Sequence, residues 1–187
     1  LEQRQAFWYR KAKAKSQFSP RIGGSFPITA AGVVHFSYGH FFQIPRFERL
    51  YENPDFKIGF GTGNQGIVGN TDLSPEQTIN GEIGINQQLA PDLVVDVTAY
   101  MRDIRGLTGT RADEIIVFGG ASKYSKYVNS DFGFVKGIVL TLNKRFGSGF
   151  SATMDYTYQE AKGSASDPAQ ARNALAGGSL PEVQLTP

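Results

Sequence analysis

The sequence predicts an all-β chain folded as an antiparallel up-and-down meander of the kind that crosses a membrane, and three observations carry that prediction. Six stretches alternate apolar and polar residues over about 11–13 positions each. Globular strands usually run about 5–6 residues, whereas tilted strands that span a bilayer need about 9–11. Secondly, the connections alternate short, long, short, long, short, as in a barrel with tight periplasmic turns and long extracellular loops. Thirdly, the lane opposite the apolar one carries Arg21, Glu82, Asp96, Arg102, Asn143, Arg145 and Asp155. Polar groups at that frequency suit a wet or filled lumen, not a dry core.

Composition agrees and excludes little else. The 187 residues hold 19 Lys+Arg against 17 Asp+Glu, so the formal charge of +2 gives no argument for nucleic acid as a partner. The absence of cysteine removes disulfides and thiolate chemistry. No apolar run reaches the length of a membrane helix, which bears on helical spans alone. The basic, aromatic start LEQRQAFWYRKAKAKS lacks the apolar stretch of a signal peptide.

Each strand is justified by its own alternation. The first, 11–28, sets Phe18, Ile22, Phe26 and Ile28 against Ser19, Arg21 and Ser25, with Lys11, Lys13 and Lys15 in the same lane as Arg21 if the alternation starts that early. The second, 33–44, puts Val34, Phe36, Tyr38, Phe42 and Ile44 on one face, although Val33 and Phe41 interrupt the polar lane. A Pro-, Gly- and Asn-rich loop covers 45–77. The third strand, 78–89, aligns Ile79, Ile83, Ile85 and Leu89, and after Ala-Pro-Asp the fourth, 93–104, aligns Leu93, Val95, Val97, Ala99 and Met101. A long loop at 106–132 precedes strands 134–146 and 150–162, joined at Gly-Ser-Gly, and a tail covers 164–187. Leu140, Leu142, Met154 and Tyr156 join Phe36, Tyr38, Ile83, Val95 and Val97 as the residues expected to face lipid. Two rival architectures remain open at this point: a soluble, secreted β-sandwich binding module, and a small closed outer-membrane barrel with further strands in the two long loops.

The phrasing of several segments adds a family resemblance. SPRIGGSFPIT, VVHFSYGHFFQIPRFERLY, TINGEIGINQQLAPDLVVDVTAYMRDI and the stretch from YVNSDFGFVKG to EAKGSASDP resemble successive parts of TonB-dependent outer-membrane receptors, most closely those with a carboxypeptidase-regulatory-like domain ahead of the plug. The resemblance spans about residues 8–185. It implies an internal segment of a large barrel in the bacterial outer membrane, with about 6–8 of the roughly 22 strands of the complete form. It further implies a ligand-uptake receptor whose partners are outer-membrane lipid, its own plug domain and remaining strands, the TonB complex reached through an N-terminal region, and a small ligand of unknown identity.

Candidate sites follow from these lanes. Lys11, Lys13, Lys15, Arg21, Glu82, Arg102 and Asp155 are expected to face ligand or plug, although the lysine run is equally readable as a solvated loop. Phe47, Tyr51, Phe56, Tyr124 and Tyr127 are loop aromatics that can stack on a ligand or on one another. Gly61–Gly66 matches G-x-G-x-x-G, yet no helix pattern follows, so a loop is expected instead of a dinucleotide site. Ser74-Pro75-Glu76-Gln77 is read as a turn. His35 and His40 lie five apart on a strand, point to opposite faces and cannot share a metal. Asp113-Glu114 is the remaining carboxylate pair. With no nucleophile–base or metal constellation, the sequence points away from an enzyme and implies no cofactor.

Overall fold

The computed structural model describes residues 13–53, 66–110, 115–117, 122–147, 149–165, 167–176 and 184–186. Their order is β1 (Arg21–Thr29), β2 (Gly32–Gln43), α1 (Phe47–Tyr51), β3 (Ile67–Val68), β4 (Glu76–Ala90), β5 (Leu93–Thr110), β6 (Ile115–Val117), β7 (Ser122–Lys144), β8 (Ala152–Gly163), α2 (Gln170–Ala176) and β9 (Gln184–Thr186). The main sheet runs β1-β2-β4-β5-β7-β8-β9, every pair antiparallel, while β3 and β6 attach to the far end of β7.

Register converts the alternation of each strand into rows across the sheet. One row reads Phe26, Val34, Ile85, Val97, Leu140 and Tyr156; the next reads Gly24, Phe36, Ile83, Ala99, Ile138 and Tyr158. Every residue expected to face lipid falls on this face, with Tyr38 opposite Ile22 and with Val95, Leu142 and Met154 in one row. The face is bare: Phe26, Ile83, Met154 and Tyr156 are 55–60% exposed. A continuous apolar surface of that size is rare on a protein bathed in water. Phe146 marks its lower edge at the turns and Lys136 its upper edge. Ten residues separate them, about 34 Å of strand, or about 26 Å at a tilt near 40°. That matches the apolar band of about 25 Å on outer-membrane barrels.

The sandwich reading required Val95, Val97, Met154 and Tyr156 in a dry core, but Val97, Met154 and Tyr156 lie open on the sheet. The small closed barrel required further strands in the loops to continue the meander. β3 and β6 do lie there, but both pair with β7 and neither extends the sheet path. The strand boundaries also need correction. Residues 106–132 are largely not a loop, since β5 and β7 pair through them, with Leu107 opposite Asp131 and Thr110 opposite Tyr127. Gly106, at φ +64°, supplies the left-handed residue at which the register shifts and the ladder resumes. The alternation is hidden in that stretch because both of its faces meet polar or packed surroundings. Within 45–77 lie α1, β3 and the start of β4, and within 164–187 lie α2 and β9. The first strand begins at Arg21; residues 13–20 lie outside the sheet, and the Pro20 carbonyl accepts a bond from the His40 N–H.

The buried apolar cluster sits beyond the apolar band, where Ile67, Leu73 and Tyr127 pack with Leu50 and Ala169. Polar bonds tie the same region together. Asn129 accepts from the Ser74 N–H at 2.8 Å and donates to the carbonyls of Ser74 (2.9 Å) and Gly106 (2.7 Å). Asn70 donates to the Tyr127 carbonyl, and Glu76 accepts from both the N–H and the hydroxyl of Thr108.

Candidate ligand-facing wall

Opposite the apolar face, the strands present a continuous polar wall. Its upper row holds Arg21, Gly39, Asn80, Arg102, Val135 and Ala161, and the row beneath it holds Gly23, Ser37, Glu82, Tyr100, Gly137 and Gln159. Asn80 bridges the charges, donating to Glu82 at 2.8 Å and accepting from Arg102 Nε at 3.5 Å, while Ser37 donates to the other Glu82 oxygen at 3.4 Å. Tyr100 lies across Gly137 to donate to Gln159 at 2.8 Å. A Cβ at Gly137 would come within 2.7 Å of both the Tyr100 hydroxyl and the Tyr158 carbonyl, so only glycine lets the ring cross.

A second network lies lower. Asp96 accepts from Thr98 at 2.8 Å and from Asn86 at 3.2 Å, and the Thr98 hydroxyl meets His35 Nε2 at 3.2 Å. Asp155 accepts from Thr141 at 2.7 Å. Near the turns the wall borders a cavity of about 790 Å³ lined by Val33, Asn86, Val94, Asn143, Arg145 and Thr153, among others. Asp92 closes the β4–β5 turn against Lys144, whose ammonium holds the Asp92 carboxyl below its usual range.

The expected site residues therefore divide. Arg21, Glu82, Arg102 and Asp155 share the polar wall, where Asn80, Tyr100, Gln159, Thr98 and His35 stand between them. Formal charge does not single out those five, although the same polar lane contains them. Phe41, an interruption in the sequence pattern, lies beneath the Arg21 guanidinium, 4.4 Å from its ring centre. Lys13 and Lys15 do not extend the lane. They converge on Asp72, through the Lys13 N–H at 3.3 Å and the Lys15 ammonium at 2.9 Å, and this pairing lowers the Asp72 carboxyl below its ordinary range. Lys11 lies outside the described residues.

The aromatics divide likewise. Phe47 and Tyr51 on α1 are exposed, whereas Tyr124 and Tyr127 sit on β7 and are 4% and 7% exposed. Tyr127 belongs to the buried cluster instead of a stacking surface, and burial, with Glu52 adding to it, pushes its phenol upward. Phe56, Asp113-Glu114 and Gly61–Gln65 lie outside the described residues. His35 faces the polar wall, and His40 faces the other way, held by Tyr38 and Gln77 at 2.9 and 3.1 Å.

The family model for the TonB dependent receptor-like β-barrel matches residues 3–185. The chain belongs to the TonB-dependent receptors. It is therefore a bacterial outer-membrane β-barrel chain, in a family of receptors and transporters. Among curated relatives, the iron-regulated outer membrane virulence protein of Vibrio cholerae serotype O1 is 27% identical over 148 residues, covering 76% of this chain and 22% of that protein. Among solved structures, the siderophore receptor PirA of Pseudomonas aeruginosa superposes with a TM-score of 0.57 at 20% identity, covering 78% of this chain and 29% of its own. The ferric enterobactin receptor PfeA of the same species gives 0.63 at 19% identity, over 78% of this chain and 25% of its own. The outer membrane transporter YddB of Escherichia coli gives 0.62 at 12% identity, over 78% and 20%. This TonB-dependent receptor chain thus spans about a fifth to under a third of the length of these proteins, and its likeness to the solved structures is one of fold.

Proposed function

We propose that this chain forms one side of the lumen and mouth of a receptor that captures a scarce ligand outside the cell and imports it without making or breaking covalent bonds. The observation that carries the reading is the two-faced sheet. An apolar band of membrane height backs a hydrogen-bonded wall that includes Arg21, Glu82, Arg102 and Asp155. The remaining barrel strands and a plug domain would complete the lumen, the TonB complex would supply energy, and changing affinity between states would move the ligand. Ferric siderophores are the first ligands to try, a choice supported by the names of the siderophore receptor PirA and the ferric enterobactin receptor PfeA.

The test is uptake by cells whose only receptor is the natural polypeptide carrying these residues. Iron-loaded siderophores, each labelled with radioactive iron, are supplied with and without TonB. TonB-dependent accumulation of at least one, lowered severalfold by Arg102→Ala with surface abundance unchanged, is the expected result. Accumulation that is independent of TonB for every ligand supplied would overturn the reading.

A further inference from the structure

Midway up the polar wall one histidine is held in a single orientation, and the uptake reading gives it no task. His35 shares a row with Ser25, Gly84, Thr98, Val139 and Thr157. Its ring lies across Gly84, where a Cβ would strike both His35 Nε2 and the Thr98 hydroxyl, and it meets that hydroxyl at 3.2 Å. Thr98 in turn donates to Asp96 at 2.8 Å, and Asn86 donates to the other Asp96 oxygen at 3.2 Å. A carboxylate only accepts, so the Thr98 proton is committed to Asp96 and the Thr98 oxygen accepts from His35. Nε2 therefore carries hydrogen. In the neutral ring Nδ1 then keeps its lone pair, turned away from Thr98, and no described residue donates to it.

We propose that His35 is a proton-operated contact with the plug, fastening it near neutrality and loosening it in acid. The wall around the ring decides the sign. On β4, Glu82 lies one row above His35 and Asn86 one row below; on β5, Tyr100 lies above and Asp96 below. Asp155 on β8 shares the Asp96 row, while Arg21 on β1 and Arg102 on β5 stand two rows up. Between the rows of Arg102 and Arg145, the described wall carries three carboxylates, Glu82, Asp96 and Asp155, and no lysine or arginine.

A surface that packs against such a wall complements it with hydrogen-bond donors and positive charge. The lone pair of neutral His35 suits that partner. Protonation turns Nδ1 into a donor and makes the ring a cation, so a hydrogen bond becomes a donor–donor contact and like charges meet. The ring does not swing away to escape, because Nε2 donates to Thr98 in both states. His40 takes no part, since it faces the other side of the sheet, held by Tyr38 and Gln77.

The plug is that of the uptake reading, on which this inference rests, and membrane conductance tests the two separately. The natural polypeptide carrying this chain is reconstituted in planar phosphatidylcholine bilayers, and current is followed as urea loosens the plug at about pH 7.5 and about pH 5, either side of the range in which imidazole changes charge. At a urea concentration that leaves the unaltered receptor closed at the higher pH, acid should raise conductance at least tenfold. His35→Gln, which can donate to Thr98 and still offer an oxygen to the plug, should remove the acid response. His35→Arg should conduct at both pH values. An acid response undiminished in His35→Gln, or His35→Arg that stays closed at the higher pH, overturns the proposal. Should His35→Arg not fold, His35→Gln decides alone. A receptor that conducts freely at the higher pH without urea has no plug to fasten, and the uptake reading falls with the proposal.

Discussion

Leu140 and Thr141 are neighbours in sequence and opposite in circumstance: one lies near the middle of the apolar band, while the other donates to Asp155 on the polar wall. Leu140→Arg should therefore cost about 2–4 kcal/mol of folding stability in a bilayer, and Asp155→Leu much less, as read by denaturant titration in phospholipid vesicles. Gly137→Val drives a side chain into the Tyr100 ring and the Tyr158 carbonyl, an overpacking worth about 1–3 kcal/mol. The same titration checks it, with loss of the near-ultraviolet tyrosine signal as a second readout. Asp72 gives a pH dependence. Its carboxyl ionises below the ordinary value of 3.8 in the folded chain, so its hold on Lys13 and Lys15 is complete above that value and lost as pH falls through the lowered one. A fluorophore attached near Lys15 should report release of the segment only in that acid range, and Asp72→Asn should release it at neutral pH. At this scale the two faces of the strands were legible because alternation is a local property. The Lys13 and Lys15 pairing was not, since its partner lies in a loop whose position no periodicity encodes.

The two longest strands, β5 and β7, carry the largest departure from the sequence-based expectation. Their lower halves alternate cleanly between the apolar face and the polar wall. Their upper parts meet the cluster around Tyr127 on one side and polar loops on the other, so the binary pattern disappears while the ladder continues. Asn129 is the joint in this region, serving Ser74 twice and Gly106 once. Asn129→Ala leaves those groups short of partners at about 1–3 kcal/mol. Protease added outside intact cells should then cut between residues 66 and 75 far faster than in the unaltered receptor, while the barrel keeps its resistance to unfolding in cold detergent. Nothing in the local sequence marks Asn129 for that role, because its partners are about 23 and 55 residues away.

Across the whole molecule the described sheet is open, with β1 and most of β8 each paired on one side only. Unpaired strand edges are untenable in hydrocarbon and adhesive in water. Residues 1–187 refolded alone in vesicles should therefore form mixed oligomers and not a single monomeric band, which cross-linking before electrophoresis will show. Fold class was readable at this scale from the length and alternation of the strands together. Ligand identity was not, because it depends on how side chains from distant loops converge. Length itself has a further consequence. From Lys136 to the exposed Lys126, β7 climbs ten residues, about 26 Å at the usual tilt. Salt at physiological strength damps electrostatic fields over about 8 Å, so on the uptake reading proposed above the rim stands some three such lengths clear of the bilayer surface. An anion arriving there is judged by the charges of the rim alone, out of reach of the repulsion from the leaflet below.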